Sequence, residues 1–433
     1  MKIFNREIPA LAVPSIIANI TTPLLGLVDT AVTGHLDSSI YLAAIAVGSS
    51  MFNLLYWLFG FLRMGSSGMT AIATGRGDSH SQAMILYRGL LVASSIALLM
   101  IVLSPMLCDL LIHFLKPEAD TAAMASRYFS VVIWGAPAVL CSYVLCGWFL
   151  GMQSSKRPMI ISIAINTINI AVSPVLAFTL DMKLDGVATG TLIAQWTGFI
   201  IGLVMVVRYK PERVKLRRLI DTRELKHYFR INSDIMLRTA CLIAVTLYFT
   251  REGARQGDSI LAANALLMQL FTLFSYTIDG FAFAAEALIG RHTGNRDYTT
   301  RRQCVMSLMT WGVILAIAYS LVYLIAGNSI IKLLTDYDSV LATAYHYIPW
   351  AVAIPLASFA AFIWDGIYIG CTATRHMLTA MAIAMVTFFV AYHVLKEGMG
   401  NHALWAAFIL YLATRSIVQT IMWRRYTKSP NHI

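Results

Sequence analysis

The sequence predicts an all-α integral membrane protein: twelve transmembrane helices in two six-helix lobes related by a parallel pseudo-two-fold repeat. Three observations lead there. Of the 433 residues, 58% are hydrophobic and only 13% charged, and the mean hydropathy is +0.68; no soluble domain needs that much apolar surface. Apolar runs of about 20 residues recur along the whole chain, each long enough to span a bilayer. The chain also repeats itself at a fixed offset.

In chain order the spans fall near 9–33, 41–63, 84–114, 128–150, 158–180 and 186–207, then near 231–250, 260–287, 303–326, 345–369, 376–395 and 401–423. This divides the chain into an N-terminal lobe, 1–207, a basic linker, 208–230, and a C-terminal lobe, 231–433. The loops between spans are short and leave no room for a soluble domain. Residues 1–7 are short and polar and the apolar run after them is of full span length, so no cleavable signal is expected. A shift of 219 positions aligns the halves without a gap through four spans: Gly34 falls on Gly253, Leu42-Ala43-Ala44 on Leu261-Ala262-Ala263, Thr74-Gly75 on Thr293-Gly294, Asp78 on Asp297, Tyr128 on Tyr347, and Gly147 and Gly151 on Gly366 and Gly370. With six spans each, both halves enter from the same side. Parallel repeats of this kind are a solute-carrier architecture, with the substrate handled between the halves near the midplane.

Lys and Arg set the orientation. One set of loops holds Lys2, Arg6, Arg76, Lys156, Arg157, the linker cluster, Arg291, Arg296, Arg301, Arg302, Arg375, Arg424 and Arg425; the opposite set holds Lys116, Arg127, Lys183, Arg251, Arg255, Lys332 and Lys396. Both termini and the linker are therefore expected in the cytoplasm. The net charge of +11 is mostly this topological bias, so nucleic acid is not an expected partner. The linker is placed to rest on anionic lipid headgroups. The six cysteines form no CxxC pair, and neither a disulfide framework nor a zinc site is indicated. No GxxxxGK[ST], GxSxG or HExxH pattern occurs, so a pump of this sequence has to draw on an ion gradient.

Charges inside the spans are the candidates for function. Asp29 is the only acid of span one, where a carboxylate at depth costs roughly 2.5–3.5 kcal/mol. Pro23 lies six residues before it and can kink the helix. Two readings stand for Asp29: a titratable group facing a cavity, or an acid that snorkels to the nearby interface. Span five carries Asn166, Asn169 and Ser173 on one helical face, and span six carries Thr189, Thr191 and Gln195. These serve either as interhelical hydrogen bonds, worth roughly 0.6 kcal/mol each, or as partners of Asp29. Arg63, placed at the end of span two, is either a snorkelling arginine or a gating one.

The second half has a different set. Asp279 and Glu286 are seven apart and share a face of span eight, and Asp365 lies ten residues before Arg375, about 15 Å deep in a helix. Asp234 and Arg238 are spaced to pair with each other at i, i+4. Shifted by 219, Asp29 meets Tyr248, while Asp279, Glu286 and Asp365 meet Gly60, Ser67 and Cys146. The fold is duplicated and the charges are not, which favours lobe-specific ion or cation handling at Asp279 and Asp365.

Four stretches carry a resemblance over essentially the whole chain: residues 26–36 (Gly26-Leu27-Val28-Asp29-Thr30-Ala31-Val32-Thr33-Gly34-His35-Leu36), Phe61-Leu62-Arg63-Met64-Gly65, residues 279–287 from Asp279 to Ala287, and Asp365-Gly366-Ile367-Tyr368-Ile369-Gly370. With them the chain resembles the MATE (multidrug and toxic compound extrusion) family, in its DinF-like branch. The resemblance implies twelve spans, two six-helix lobes, a central cavity, and exchange of protons or sodium ions for organic, often cationic, substrates. It implies that Asp29 works with Asn169 and Thr191. Relatives often carry an Asp before the proline of span five; here that place is Ser173, followed by Pro174. One carboxylate fewer weakens a sodium site, since a hard cation prefers anionic oxygens, and a lone Asp29 suits a proton better.

The expectation is therefore a secondary antiporter and not an enzyme, which exports organic, cationic or amphipathic compounds by alternating access. It uses no cofactor beyond a proton gradient, with sodium the alternative. A monomer in the bacterial inner membrane, with lipids and small organic solutes as partners, is expected. A lipid-linked oligosaccharide flippase is the sister reading, disfavoured because the intramembrane charge leans acidic rather than basic. A polytopic membrane enzyme would need a polar catalytic cluster near one interface, and none is visible.

Overall fold

A computed structural model describes residues 4–34, 39–212, 214, 216–219, 221–335 and 337–428. The helices are α1 (Phe4–Gly34), α2 (Ser39–Leu58), α3 (Phe61–Arg76), α4 (Ser79–Val102), α5 (Ser104–Leu115), α6 (Ala119–Val132), α7 (Ala136–Gly151), α8 (Lys156–Pro174), α9 (Lys183–Tyr209), the short α10 (Leu216–Leu219), α11 (Thr222–Arg255), α12 (Asp258–Gly294), α13 (Tyr298–Leu334), α14 (Asp338–Gly370), α15 (Thr374–Met399) and α16 (Asn401–Lys428). No strand occurs among the described residues. Among the described residues eleven stretches are long and apolar enough to cross a membrane, and α1, 31 residues long, holds the place of the first expected span. In a bilayer every backbone group has to be satisfied within its own segment, which helices achieve.

Several ends differ from the sequence reading, each for a local reason. Span two does not stop near residue 63. It turns at Phe59 and Gly60 and continues as α3 to Arg76, so Arg63 sits within the stretch Ile40–Arg76 and not at its end. Span three breaks at Leu103, where Pro105 opens α5; proline lacks the N–H a continuing helix would use. Past Pro174, five residues (Val175–Thr179) wind as a π-helix, with Leu180 N–H donating to the Val175 carbonyl at 3.2 Å. The linker is partly helical, through α10 and the start of α11.

The repeat is visible in detail. Asp78 caps α4 by accepting from Ser81 N–H at 2.9 Å, and Asp297 caps α13 by accepting from Thr300 N–H at 3.0 Å. Gly77 and Arg296, just before them, both have left-handed φ (67° and 59°), as do Gln153 and Thr372 (61° and 53°). A Cβ on Gly147 would meet the Arg63 carbonyl oxygen at 2.1 Å, and one on Gly366 would meet that of Ala282 at 2.2 Å. All these pairs keep the 219-residue offset. The glycines are shared because two helix backbones touch there in each half, which no side chain permits.

The chain forms two compact units, one of Met1–Ile16 with Ser233–Ile433 and the other of Ile17–Asn232. The start of α1 thus packs with the second half of the chain: Glu7 pairs with Arg291 at 2.8 Å. The start of α11 packs with the first half: Arg88 of α4 donates to the Leu219 carbonyl at 3.3 Å and to Glu224 at 3.4 Å. The unit that contains Ser233–Ile433 is built around an aromatic-rich core of Phe249, Tyr323, Phe388, Trp405, Phe408 and Tyr411. All six cysteines are free.

Candidate functional site

In the unit Ile17–Asn232, three helices bring together residues far apart in sequence. Asp29 of α1 is 2% exposed, Asn169 and Ser173 of α8 are fully buried, and Thr191 of α9 is 4% exposed. The helices meet closely because α9 has no side chain at Gly190; a Cβ there would lie 2.7 Å from the Ser173 Cα. The hydrogen bonds form a directed chain. Asn169 Nδ2 donates to Thr191 Oγ1 at 3.0 Å, and Thr191 Oγ1 donates its one proton to Asp29 Oδ2 at 3.3 Å. Asn166 Nδ2 stands apart, donating to the Thr21 carbonyl at 2.7 Å, two residues before Pro23. The side chain of Pro23 lies outside the described residues, as do His35 and Leu36 of the first motif.

Burial strips water from Asp29 and leaves Thr191 as the hydrogen-bond donor to its carboxylate. Asp29 Oδ1, Asn169 Oδ1 and Ser173 Oγ have no hydrogen-bond partner among the described residues. Buried acceptors left this way are costly and are suited to a proton, a water or a small cation. No group of three or more His, Cys, Asp or Glu that would hold a metal ion occurs among the described residues. Tyr128 of α6, which stood in the sequence only as a repeat match, belongs to this cluster: its hydroxyl faces Thr191 and Ser49, and Asp29 is close enough to act on it electrostatically. Its ring fits against α2 because Gly48 leaves the space. Arg63 of α3 acts electrostatically on Tyr143 and Cys146 of α7.

The other unit holds a second polar cluster of different character. Asp365 Oδ2 accepts from Nη2 of both Arg238 and Arg415, and its Oδ1 accepts from Gln419 Nε2 at 2.6 Å. The expected pairing of Arg238 with Asp234 is therefore not the one made. Asp234 instead accepts from Thr374 Oγ1 at 3.0 Å, because Asp365, brought in from α14, competes for the same guanidinium. Asp279 is half-buried and acts electrostatically on Arg415. Glu286 is 1% exposed, two turns farther along α12, with its backbone against Gly370. Arg415 and Gln419 were missed in the sequence because α16 reads as an ordinary last span; a lone arginine thirteen residues before Lys428 was the available signal.

The MatE family model matches residues 14–175 and 235–393. The chain is 37% identical over 422 residues to DNA damage-inducible protein F of Escherichia coli, covering 97% of this chain and 92% of that one. It is 24% identical to the multidrug resistance protein MdtK of Proteus mirabilis, over 96% of this chain and 95% of that one. Among solved structures it superposes on the Vibrio cholerae MATE transporter VcmN in its bent form with a TM-score of 0.87 at 18% identity, covering 99% of this chain and 97% of that one.

Proposed function

Since the chain belongs to the MATE family of multidrug and toxic-compound efflux transporters, we propose that it is a proton-coupled antiporter that exports organic, cationic or amphipathic compounds by alternating access. The observation that carries this reading is that Asp29 is the lone carboxylate among Asn169, Ser173 and Thr191. Asn169 and Thr191 hydrogen-bond in a chain that ends on it. An ionised Asp29 wants these partners and water, while a neutral one sits against apolar neighbours at much lower cost. A proton arriving from the acidic outer side favours a collapsed cavity in the first lobe, with α1 changing its bend near Pro23, and substrate leaves. Release of the proton inside resets the helix. A ligand shifts such an equilibrium only by its differential affinity for the two states, and a carboxylate whose solvation differs between them supplies it.

The reading extends to two lobes, 1–207 and 231–433, joined by a cytoplasmic linker, in a monomer of the bacterial inner membrane. The test is transport in proteoliposomes with independently imposed pH and sodium gradients. Efflux follows the pH gradient in the wild type, and Asp29→Asn abolishes it while the protein still inserts. Efflux driven by sodium alone, or undiminished pH-driven efflux by the variant, would refute proton coupling through Asp29.

A further inference from the structure

The cluster around Asp365 has more donors than its carboxylate uses. Each guanidinium presents five N–H groups in a planar fork. Arg238 and Arg415 each give Asp365 a single Nη2, and the Nε of each is buried without a partner among the described residues. Gln419 Oε1 is unpartnered as well. Arg238 is 7% exposed, Arg415 1% and Gln419 fully buried. One arginine would neutralise Asp365; the second is left to the weaker influence of half-buried Asp279, and the Nε of each guanidinium stays unused among the described residues. The repeat does not account for the second arginine, since at the 219-residue offset Arg238, Asp365, Arg415 and Gln419 stand opposite Asn19, Cys146, Trp196 and Ile200. The fold is therefore made without this cluster.

An aromatic wall adjoins the arginines. The Phe362 ring lies 5.4 Å from the Arg415 guanidinium carbon, and the Phe271 ring lies 6.2 Å from the Phe362 ring. Both rings are only partly buried. We propose that this unit holds a binding site for amphipathic organic carboxylates, the carboxylate seated on the N–H groups of Arg238 and Arg415 that Asp365 leaves unused and the apolar body against Phe362 and Phe271. Paired N–H donors match a carboxylate in geometry as well as charge. Asp279 acts on Arg415 from the half-buried face of α12, and an incoming carboxylate competes with it. The inference deepens the exporter reading by naming a substrate class for the second unit, opposite in charge to the cations suited to the first.

The experiment measures equilibrium binding of 1-naphthoate to the full-length protein in nanodiscs of uncharged lipid, with 1-naphthamide as the neutral control. Naphthoate binds saturably and naphthamide does not. Arg415→Lys and Arg238→Lys keep the charge on Asp365 but remove the fork, and each weakens naphthoate by about tenfold. Phe362→Leu weakens it severalfold and keeps the proposal testable if a lysine variant fails to fold. Asp279→Asn tightens it, because the competing carboxylate is gone. The proposal is overturned by absence of saturable binding to the wild type, by equal affinity in the wild type and every folded Arg or Phe variant, or by weaker binding in Asp279→Asn. Proton-driven efflux of ethidium is followed separately in proteoliposomes of the same preparation. Its absence removes the exporter reading and leaves the naphthoate result standing.

Discussion

At the scale of single residues, the proposal of proton coupling turns on Ser173. It is fully buried, it lies opposite Gly190, and its hydroxyl has no partner among the described residues. A carboxylate at this position would stand beside Asn169, Thr191 and Asp29 and supply the second anionic oxygen that a hard cation prefers. Ser173→Asp is therefore expected to confer efflux that responds to an imposed sodium gradient; proteoliposomes loaded with ethidium read it directly, and a variant that still follows pH alone rejects this role for residue 173. Asp29, Asn169 and Thr191 stood out in the sequence as polar groups in apolar spans, and the family resemblance singled out the last two as partners of Asp29 from neighbours such as Thr189 and Gln195. Tyr128 did not stand out, because a tyrosine in a span is unremarkable until its hydroxyl is seen to face Thr191.

At the scale of elements, two features can be tested, one between the helices that hold the site and one at the starts of α4 and α13. The first is the close approach of α8 and α9. A methyl group at Gly190 would lie 2.3 Å from Ser173 Oγ and 2.7 Å from its Cα. Backbone cannot yield as a side-chain tip does, so Gly190→Ala pushes the helices apart and stretches the Asn169–Thr191–Asp29 chain. Overpacking of this kind costs about 1–3 kcal/mol; a lowered thermal midpoint with lost efflux is expected, and a variant as stable and active as wild type would contradict the packing. The second feature is the pair of Asp caps. The hydroxyl and N–H of Ser81 hold the Asp78 carboxyl below its usual range, and those of Thr300 do the same for Asp297. A folded value held below the unfolded one contributes stability above the unfolded pKa, and that contribution is lost as pH falls through the folded one. Each Asp→Ala change should cost about 1 kcal/mol at neutral pH. The difference from wild type should vanish in strong acid, which thermal unfolding across a pH series measures.

At the scale of the whole molecule, the charge bias along the chain sets the expected orientation. The linker residue Glu212 is exposed and accepts a hydrogen bond from Ser79 Oγ at 2.6 Å, which ties the basic linker to the first residue of α4. Lys116, between α5 and α6, belongs to the opposite set of loops. An impermeant thiol reagent added outside cells should label a cysteine placed at Lys116 and spare one placed at Glu212, in a background without the native cysteines. Labelling of the Glu212 position from outside would reverse the orientation.

The sequence by itself determined the class of the protein, its spans and its duplication. These are properties of local composition: a bilayer of fixed thickness demands apolar runs of fixed length, and a repeated backbone contact demands the same glycine at the same offset, as Gly147 and Gly366 show. It also singled out Asp29, because a charge in an apolar run is conspicuous by itself. Only the tertiary structure decided which charges meet. Arg238 lies one helical turn from Asp234, and local spacing joins them; Asp365, 127 residues away, takes the guanidinium because α11, α14 and α16 converge on one point. Nothing in the spacing of Arg415 or Gln419 marks them as partners of that carboxylate. Electrostatic pairing depends on distance in space, which the order of residues along separate helices does not encode.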